Sequence, residues 1–175
     1  MTSDLAERAP APAAEAASGR QQVGRFDFAA HNCFACGLLN VSGVQLRLHA
    51  DDGRCWTELA VPQRFEGWDG IAHGGIVSAI LDEVMAWSLI GQDRLGFTAR
   101  LAVEFHHPVP VETPIRATGW ITSGRRRRFE TAAQITDAAT GQVLASGTAV
   151  YIAAPIAKDA ALRDRYDIRV IGEDA

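Results

Sequence analysis

The sequence has few cysteines, no excess of positive charge and no uninterrupted hydrophobic run long enough to cross a membrane. Three cysteines in 175 residues argue against a disulfide scaffold and favour a reducing, cytoplasmic location. Acidic residues number 21 and basic residues 17, a balance that argues against a general nucleic-acid-binding protein. The most apolar stretch, residues 74–91, contains Asp82 and Glu83, so we expect no transmembrane helix and no membrane partner.

What remains is the composition of a single folded domain, with 47% apolar and 22% charged residues. Aromatic residues are absent from the first 22 positions, which are rich in Ala, Pro, Ser and Glu. We therefore predict a disordered tail over residues 1–24, which carries acidic residues where a secretory signal needs an apolar core. The folded domain is predicted over residues 25–155, and a C-terminal tail over residues 156–175 with a short helix near residues 159–166.

Alternating apolar and polar residues predict strands on both sides of one long apolar segment. Residues 44–49 and 55–61 precede that segment, and Asp51-Asp52-Gly53 is typical of the turn between them. Four more strands follow it, and the turn residues between them favour pairing of consecutive strands in an antiparallel sheet. These four segments are residues 98–107, 114–123, 127–137 and 142–153.

The long segment, residues 75–90, is apolar on nearly every face, which is typical of a buried helix. A flat sheet cannot cover all sides of such a helix, so the sheet has to curve around it. We therefore predict an α+β fold in which a strongly curved antiparallel sheet wraps one long central helix. Apolar residues on the outer face of this sheet predict that subunits associate.

Candidate chemistry gathers on this helix. Gly74 and Gly75 stand at its start, where backbone N–H groups lack intrahelical partners and can stabilise an oxyanion. His73 precedes them and can fix the loop or polarise a carbonyl. Asp82 lies in mid-helix, where a carboxylate is unfavourable unless it is paired or reaches a wet cleft.

Each of these features also has a purely structural interpretation. The two glycines can serve only a tight turn into the helix, and His73 can be a hydrogen-bonded loop residue. Asp82 and Glu83 lie about 100° apart on a helix, so one of them can simply face solvent. The residues alone do not choose between these interpretations.

The string His73-Gly74-Gly75, six mostly apolar residues and then Asp82 resembles the signature of hotdog-fold acyl-CoA thioesterases. The nearest subgroup is the phenylacetate-degradation type within the 4-hydroxybenzoyl-CoA thioesterase superfamily. Residues 32–37, with the sequence NCFACG, and residues 103–110 are similar to further parts of these proteins. The resemblance covers residues 31–153 and implies the hotdog fold.

The resemblance also implies catalytic roles. Asp82 would activate water or attack the thioester itself, and the Gly74 N–H would bind the thioester oxygen. His73 would support that donor loop, and Thr98 would help to hold the water. In the family each site lies between two subunits, so a homodimer or a homotetramer built from two dimers is expected.

Substrate binding is expected from Gly67, Gly75 and Glu83. Some relatives carry Asn at the position of Gly67, which here has Glu66 and Asp69 nearby. The strongly basic run at residues 125–128 can bind CoA phosphates, because arginine matches phosphate oxygens in a bidentate manner. Four successive strand residues cannot all point the same way, so we predict that two of the four arginines take part, and we name Arg125 and Arg126. The alternative is a solvated hairpin tip.

Cys33 and Cys36, with His31 before them and Cys55 after, have the residue types of a zinc site. A second compact pair of ligands is missing, so apolar packing is favoured, and we predict no metal and no cofactor. A redox role is disfavoured because no βαβ pattern surrounds the pair.

The predicted function is therefore an acyl-CoA thioesterase that hydrolyses an acyl-CoA to a free acid and CoA. Water attack assisted by Asp82 is the preferred mechanism, and an acyl-enzyme at Asp82 is the competing one. Two other functions stay open: a hotdog enoyl-thioester hydratase or dehydratase, and a non-catalytic acyl-CoA-binding module.

Overall fold

The computed structural model describes residues 23–172, so nearly all of the tail expected at residues 1–24 lies outside the described residues. None of the helices in this range is both long enough and apolar enough to span a membrane. The helices are α1 (Gly74–Ile90) and α2 (Ile156–Tyr166), with one 3₁₀ turn at Gln63–Phe65. The strands are β1 (Gly24–Asp27), β2 (His49–Asp51), β3 (Arg54–Ala60), β4 (Glu66–Trp68), β5 (Ile71–Ala72), β6 (Gly96–Phe105), β7 (Pro114–Arg125), β8 (Arg128–Asp137), β9 (Val143–Ala153) and β10 (Arg169–Ile171).

One antiparallel sheet of eight strands surrounds the long helix. Its order is β10-β1-β2-β3-β7-β8-β9-β6, while β4 and β5 form a separate two-stranded ribbon just before α1. Helix α1 packs against β3 and against all of β6 to β9. Its largest core side chains, Ile80, Leu81 and Met85, are fully buried against the sheet. This arrangement confirms the predicted α+β hotdog fold, with a sheet wrapped around one central helix.

Backbone contact between α1 and β7 sets how closely the helix approaches the sheet. Gly119 lies in β7, and a Cβ atom there would stand 2.5 Å from the carbonyl oxygen of Val84 in the helix. Only glycine therefore permits this approach without moving backbone. Val84 directly follows Asp82 and Glu83 in the helix. The contact therefore also sets the distance between the sheet and the backbone of both acids.

Two predictions about the strands are wrong. The strand expected at residues 44–49 becomes β2 only from His49, because Gln45 adopts a left-handed backbone with φ of +57°. The preceding residues pair instead with the loop, since the N–H of Val44 donates to the Phe34 oxygen at 2.9 Å and that of Leu46 to the Ala35 oxygen at 2.8 Å.

Consecutive pairing holds for β7, β8 and β9 but not for β6, which pairs with β9 at the sheet edge. The connection from β6 to β7 bonds to the segment before α1: Val109 accepts from Ala72, and Val111 donates to Gly70. Glu112 donates to Val61 just beyond β3. These bonds carry the chain back to β3, where β7 joins the sheet.

The C-terminal segment belongs to the domain, so the boundary expected at residue 155 is wrong. Strand β10 pairs with β1 at the other edge of the main sheet. Helix α2 docks on the end of α1, where Asp159 accepts from the Leu95 N–H at 2.5 Å and Arg163 donates to the Ile90 oxygen at 3.4 Å. The short helix expected near residues 159–166 is confirmed as part of α2. Gly24, expected in the tail, begins β1.

Candidate active site

The start of α1 presents a prepared hydrogen-bond donor. His73 is the N-cap residue, and its Nδ1 accepts a hydrogen bond from the Gly75 N–H at 3.0 Å. Because Nδ1 is an acceptor, the neutral ring carries its proton on Nε2. Among the hydrogen bonds of residues 23–172, none uses the N–H of Gly74, an exposed residue at the positive end of the helix dipole.

A groove of about 410 Å³ lies beside this donor. Gly74 and Val77 line it on the helix side, and Phe105 and the loop that follows β6 line the other side. The Phe105 ring would be 3.4 Å from a Cβ atom at Gly74, so a side chain there would narrow the groove. Glycine thus leaves the donor open to a ligand.

Asp82 is held by two hydroxyl groups. Thr98 Oγ1 donates to Asp82 Oδ1 at 2.9 Å, and the Tyr151 hydroxyl donates to the same oxygen at 2.6 Å. Thr98 and Tyr151 are register partners on β6 and β9, so their side chains reach the acid from one face of the sheet. Thr98 is exposed, so this polar cluster opens at the edge strand of the sheet.

Tyr151 is the residue that sequence reasoning missed. Its side chain is fully buried, and burial together with the neighbouring Asp82 charge raises the pKa of its hydroxyl above the usual range. The hydroxyl therefore stays protonated and acts as a donor to the carboxylate. A signal was present, because Tyr151 is the one large side chain among Ala145, Gly147, Ala149 and Ala153 on the inward face of β9.

Glu83, which was expected to bind substrate, contacts a different set of residues from those that hold Asp82. The Trp87 indole N–H donates to Glu83 Oε1 at 2.8 Å, and the Cys33 sulfur lies 3.9 Å from the same oxygen. Burial and then the nearby Cys33 raise the pKa of Glu83 to about 7. The structure thus places this acid against the loop that precedes β2, away from Thr98 and Tyr151.

The loop around Cys33 gathers three ionisable side chains besides Glu83. His31, Cys33 and Cys36 bring their ring nitrogen and two sulfurs within 4.8 Å of one another. A hydrogen bond from the Cys36 thiol, with help from backbone N–H groups, lowers the pKa of Cys33, and the same bond together with burial raises the pKa of Cys36. Cys55 is also a free thiol but lies outside this group.

The loop before α1 contains the other expected binding residue. Gly67 packs on His73, because a Cβ atom at Gly67 would lie 3.0 Å from the His73 Cα. The Glu66 carboxylate accepts a hydrogen bond from the Gly70 N–H within the same turn. The Glu66 carboxylate therefore stabilises the turn of this loop. The other acid near Gly67, Asp69, is exposed.

The four arginines at residues 125–128 lie at the tip of the hairpin that joins β7 and β8. This position is compatible with both interpretations of the run, a phosphate-binding site and a solvated tip. Arg127 donates to the Ala153 oxygen at 2.9 Å, and Arg128 pairs with Glu130 at 2.5 Å. Within the described part of the chain no ion pair uses Arg125 or Arg126, and both are exposed. The tip lies at the same end of the sheet as Tyr151, since Phe129 on β8 pairs with Tyr151.

The donor and the acid are separated within one chain. Gly74 and Asp82 lie eight residues apart on the same helix, a distance of about 12 Å along its axis. A thioester whose oxygen is bound at the Gly74 N–H therefore cannot reach Asp82 of the same helix. The two halves can act together only if a second helix start approaches the acid.

The family comparison covers the segment that carries these groups. The family model described as thioesterase superfamily matches residues 69–144, which run from the loop before α1 into β9. The chain is therefore similar to the thioesterase superfamily over this segment. The matched segment contains His73, Gly74, Asp82 and Thr98, the residues expected to be catalytic. No curated protein matches the chain.

Solved structures of thioesterase superfamily proteins have the same fold. A crystal structure of one such protein is 27% identical, with a TM-score of 0.65; the match covers 69% of this chain but 62% of that protein. The PaaI protein of the phenylacetic acid degradation operon of E. coli is 13% identical (TM-score 0.60; 64% and 81% covered). A hypothetical thioesterase of Streptococcus pneumoniae, solved with coenzyme A, is 18% identical (TM-score 0.56; 58% and 82% covered).

Proposed function

We propose that this protein belongs to the thioesterase superfamily and is an acyl-CoA thioesterase that hydrolyses an acyl-CoA to a carboxylic acid and free CoA. The observation that carries the proposal is the Asp82 carboxylate, held at the open edge of the sheet by Thr98 and Tyr151. A thioester is an activated acyl donor, so a positioned base and an oxyanion donor are enough for its hydrolysis.

Asp82 is the general base in this mechanism. Both hydroxyl donors end on Oδ1, which leaves Oδ2 to accept a proton from water. The resulting hydroxide attacks the thioester carbon, and the oxyanion binds the Gly74 N–H. When the tetrahedral intermediate collapses, the C–S bond breaks and the CoA thiolate takes the proton from Asp82.

An acyl-enzyme is the competing mechanism, in which an Asp82 oxygen attacks the thioester and water then cleaves the anhydride. A single turnover in ¹⁸O-water separates the two. Label in the Asp82 carboxylate would contradict direct water attack, whereas an unlabelled Asp82 would contradict an anhydride that water opens at the Asp82 carbon.

We expect the site to form between two subunits of a homodimer, or of a homotetramer built from two such dimers. The separation of about 12 Å along α1 supports a site in which a second chain supplies the Gly74 donor. The edge strand β6 is exposed along most of its length and carries Phe97 and Phe105 at 54% and 55% exposure. A second copy laid on this edge would cover both rings and close the site over Thr98.

The CoA phosphates are assigned to Arg125 and Arg126. Both guanidinium groups are exposed and unpaired among the described residues, and their hairpin tip extends beyond the Phe129–Tyr151 pair. The distance from Phe129 to the tip is about three residues, or roughly 10 Å. That span suits a ligand whose phosphates lie outside while its thioester enters the cleft.

The three free thiols fit a reducing, cytoplasmic setting, which we include in the proposal.

The proposal is tested by measuring CoA release from short, medium, long-chain and aromatic acyl-CoAs. We expect turnover with at least one class, and a loss of about 10²–10⁴-fold in kcat for Asp82→Asn, because a positioned base is removed. Asp164→Asn, an exposed acid on α2, is the matched control and should retain native rates. Equal rates for Asp82→Asn and the native protein would overturn the site. Hydration of an enoyl-CoA without CoA release would show a hydratase, and binding without turnover would show an acyl-CoA-binding module.

The two-subunit site is tested by mixing inactive chains. Asp82→Asn lacks the base, and Gly74→Val fills the groove at the donor, so each homodimer should be nearly inactive. In a dimer that contains one chain of each kind, one of the two sites has both intact halves. Random mixing should therefore restore about a quarter of the native sites. No recovery of activity in confirmed mixed dimers would contradict a shared site.

A further inference from the structure

We propose that His31, Cys33, Cys36 and Glu83 form a zinc site that fastens the loop before β2 to the central helix. The argument starts from the loop itself. Its tight turn brings the two thiols together, with the Gly37 N–H donating to the Cys33 oxygen at 3.0 Å. A Cβ atom at Gly37 would lie 2.4 Å from the Cys33 nitrogen, so the turn requires glycine directly after the second cysteine.

The distances match those of a tetrahedral ligand set. Zinc bonds of about 2.3 Å to sulfur and about 2.0 Å to nitrogen place these two ligand atoms about 3.5 Å apart. The Cys36 sulfur and the His31 Nε2 lie 3.6 Å apart. All three ligand atoms of His31, Cys33 and Cys36 lie within 4.8 Å of one another. Two thiolates with one imidazole favour zinc over magnesium or calcium, which prefer oxygen ligands.

The histidine is oriented as a metal ligand requires. Its Nδ1 faces the Ala29 carbonyl oxygen at 3.1 Å, and since a carbonyl can only accept, the proton of the neutral ring lies on Nδ1. The lone pair of Nε2 is then directed at the Cys36 sulfur. A backbone carbonyl that binds the second ring N–H is a common partner of metal-bound histidines.

Glu83 supplies the fourth ligand from helix α1. Its two carboxylate oxygens lie 3.9 and 4.0 Å from the Cys33 sulfur, close to the separation of two ligands on one ion. Trp87 already donates to Oε1, which orients the carboxylate and leaves Oε2 for the ion. A bond from Glu83 to the zinc ion would also explain why this carboxylate lies half-buried among thiols and an indole.

The position of the four proposed ligands gives the zinc ion a path from solvent and a structural role. A groove of about 600 Å³ is lined by His31, Cys33 and Tyr166, so an ion can reach the ligands from solvent. Once bound, it would connect the loop to α1 one residue after Asp82. The site is therefore structural, and it is independent of the proposed thioesterase activity.

The test measures zinc directly. Native protein prepared under reducing conditions, loaded with Zn²⁺ and freed of excess metal should retain about one zinc per chain. Cys36→Ser and His31→Ala should retain less than about a fifth of that amount, whereas Cys55→Ala, which changes a buried thiol outside the cluster, should retain all of it. Asp82→Asn should bind zinc like the native chain, which separates this proposal from the catalytic one.

Cobalt provides a measurement on the unmodified protein, so a variant that fails to fold does not obscure the result. Co²⁺ in this site should give the intense visible bands of tetrahedral coordination and a thiolate-to-cobalt charge-transfer band. Glu83→Gln should weaken Co²⁺ binding by more than about tenfold while the charge-transfer band persists. A native protein that retains no zinc, or a cobalt spectrum without thiolate charge transfer, would overturn the proposal.

Discussion

Asp82 and Glu83 are adjacent in the sequence, yet they lie in opposite kinds of environment. Asp82 faces the edge of the sheet, where two hydroxyls hold it and an exposed threonine marks the opening. Glu83 faces the N-terminal loop, where an indole N–H and a thiol meet it. The rotation of about 100° between successive helix residues thus separates a candidate general base from a candidate anchor.

This separation predicts that substitution of Asp82 lowers mainly activity, whereas substitution of Glu83 lowers mainly stability. The loss of activity at Asp82 is the largest effect that we expect. Asp82→Asn should lower kcat by about 10²–10⁴-fold but change Tm by less than about 3 °C, since its hydroxyl donors keep an acceptor. Glu83→Gln should lower the Tm of the zinc-loaded protein by about 5 °C or more and kcat by less than about tenfold. Parallel calorimetry and CoA-release assays check both; equal losses of rate would refute the division.

The helix-to-sheet contact at Gly119 should affect both acids together. Gly119→Ala brings a Cβ atom to 2.5 Å from the Val84 oxygen, and because this atom is backbone the helix itself has to move. We expect a loss of about 1–3 kcal/mol in the free energy of unfolding, measured by urea denaturation.

A matched glycine tests that reasoning. A Cβ atom at Gly147 in β9 would find its nearest neighbour, the Ala102 oxygen, at 3.3 Å and side chains of the helix at 3.6 Å. Gly147→Ala should therefore lose less than about 1 kcal/mol. If it destabilises the protein as much as Gly119→Ala does, the close approach of helix and sheet is not the cause.

The variant Tyr151→Phe tests the contacts that hold Asp82 at the edge of the sheet. This variant keeps the buried ring and removes the hydroxyl that donates to Asp82 at 2.6 Å. The carboxylate then loses its closest positioning contact, and we expect kcat to fall between about tenfold and a hundredfold with KM nearly unchanged. Thr98→Val removes an exposed donor at 2.9 Å and should have a smaller effect on kcat. The reverse order would make Thr98 the main positioning residue.

The sequence predicted the parts of this molecule that depend on local pattern. The apolar run of α1 and the alternation of β7 to β9 are visible in single segments, and so are the glycines at the helix start. Tyr151 was missed because its role depends on the register that pairs it with Thr98, 53 residues away in the chain. Register between distant strands is a tertiary property that a single segment does not carry.

The loop before β2 was predicted least well, and for related reasons. The residue types of a metal site were visible, but neither the 3.6 Å contact between His31 and Cys36 nor the approach of Glu83 follows from spacing. The direction in which Glu83 points depends on how α1 is rotated against this loop. The left-handed backbone at Gln45 likewise interrupts an alternation that looked like a strand.

The smallest expected effect tests the anchor side of the comparison. Trp87→Phe removes the indole N–H that donates to Glu83 at 2.8 Å, while a ring remains to pack against Phe26 and Phe28. A half-buried carboxylate then loses one hydrogen bond, which should lower the free energy of unfolding by about 1–2 kcal/mol. Thermal and urea unfolding measure this loss. Because Asp82 is rotated by about 100° from Glu83 and is held by different residues, CoA release should stay within about twofold of the native rate. A larger loss of activity would show that the two acids are coupled.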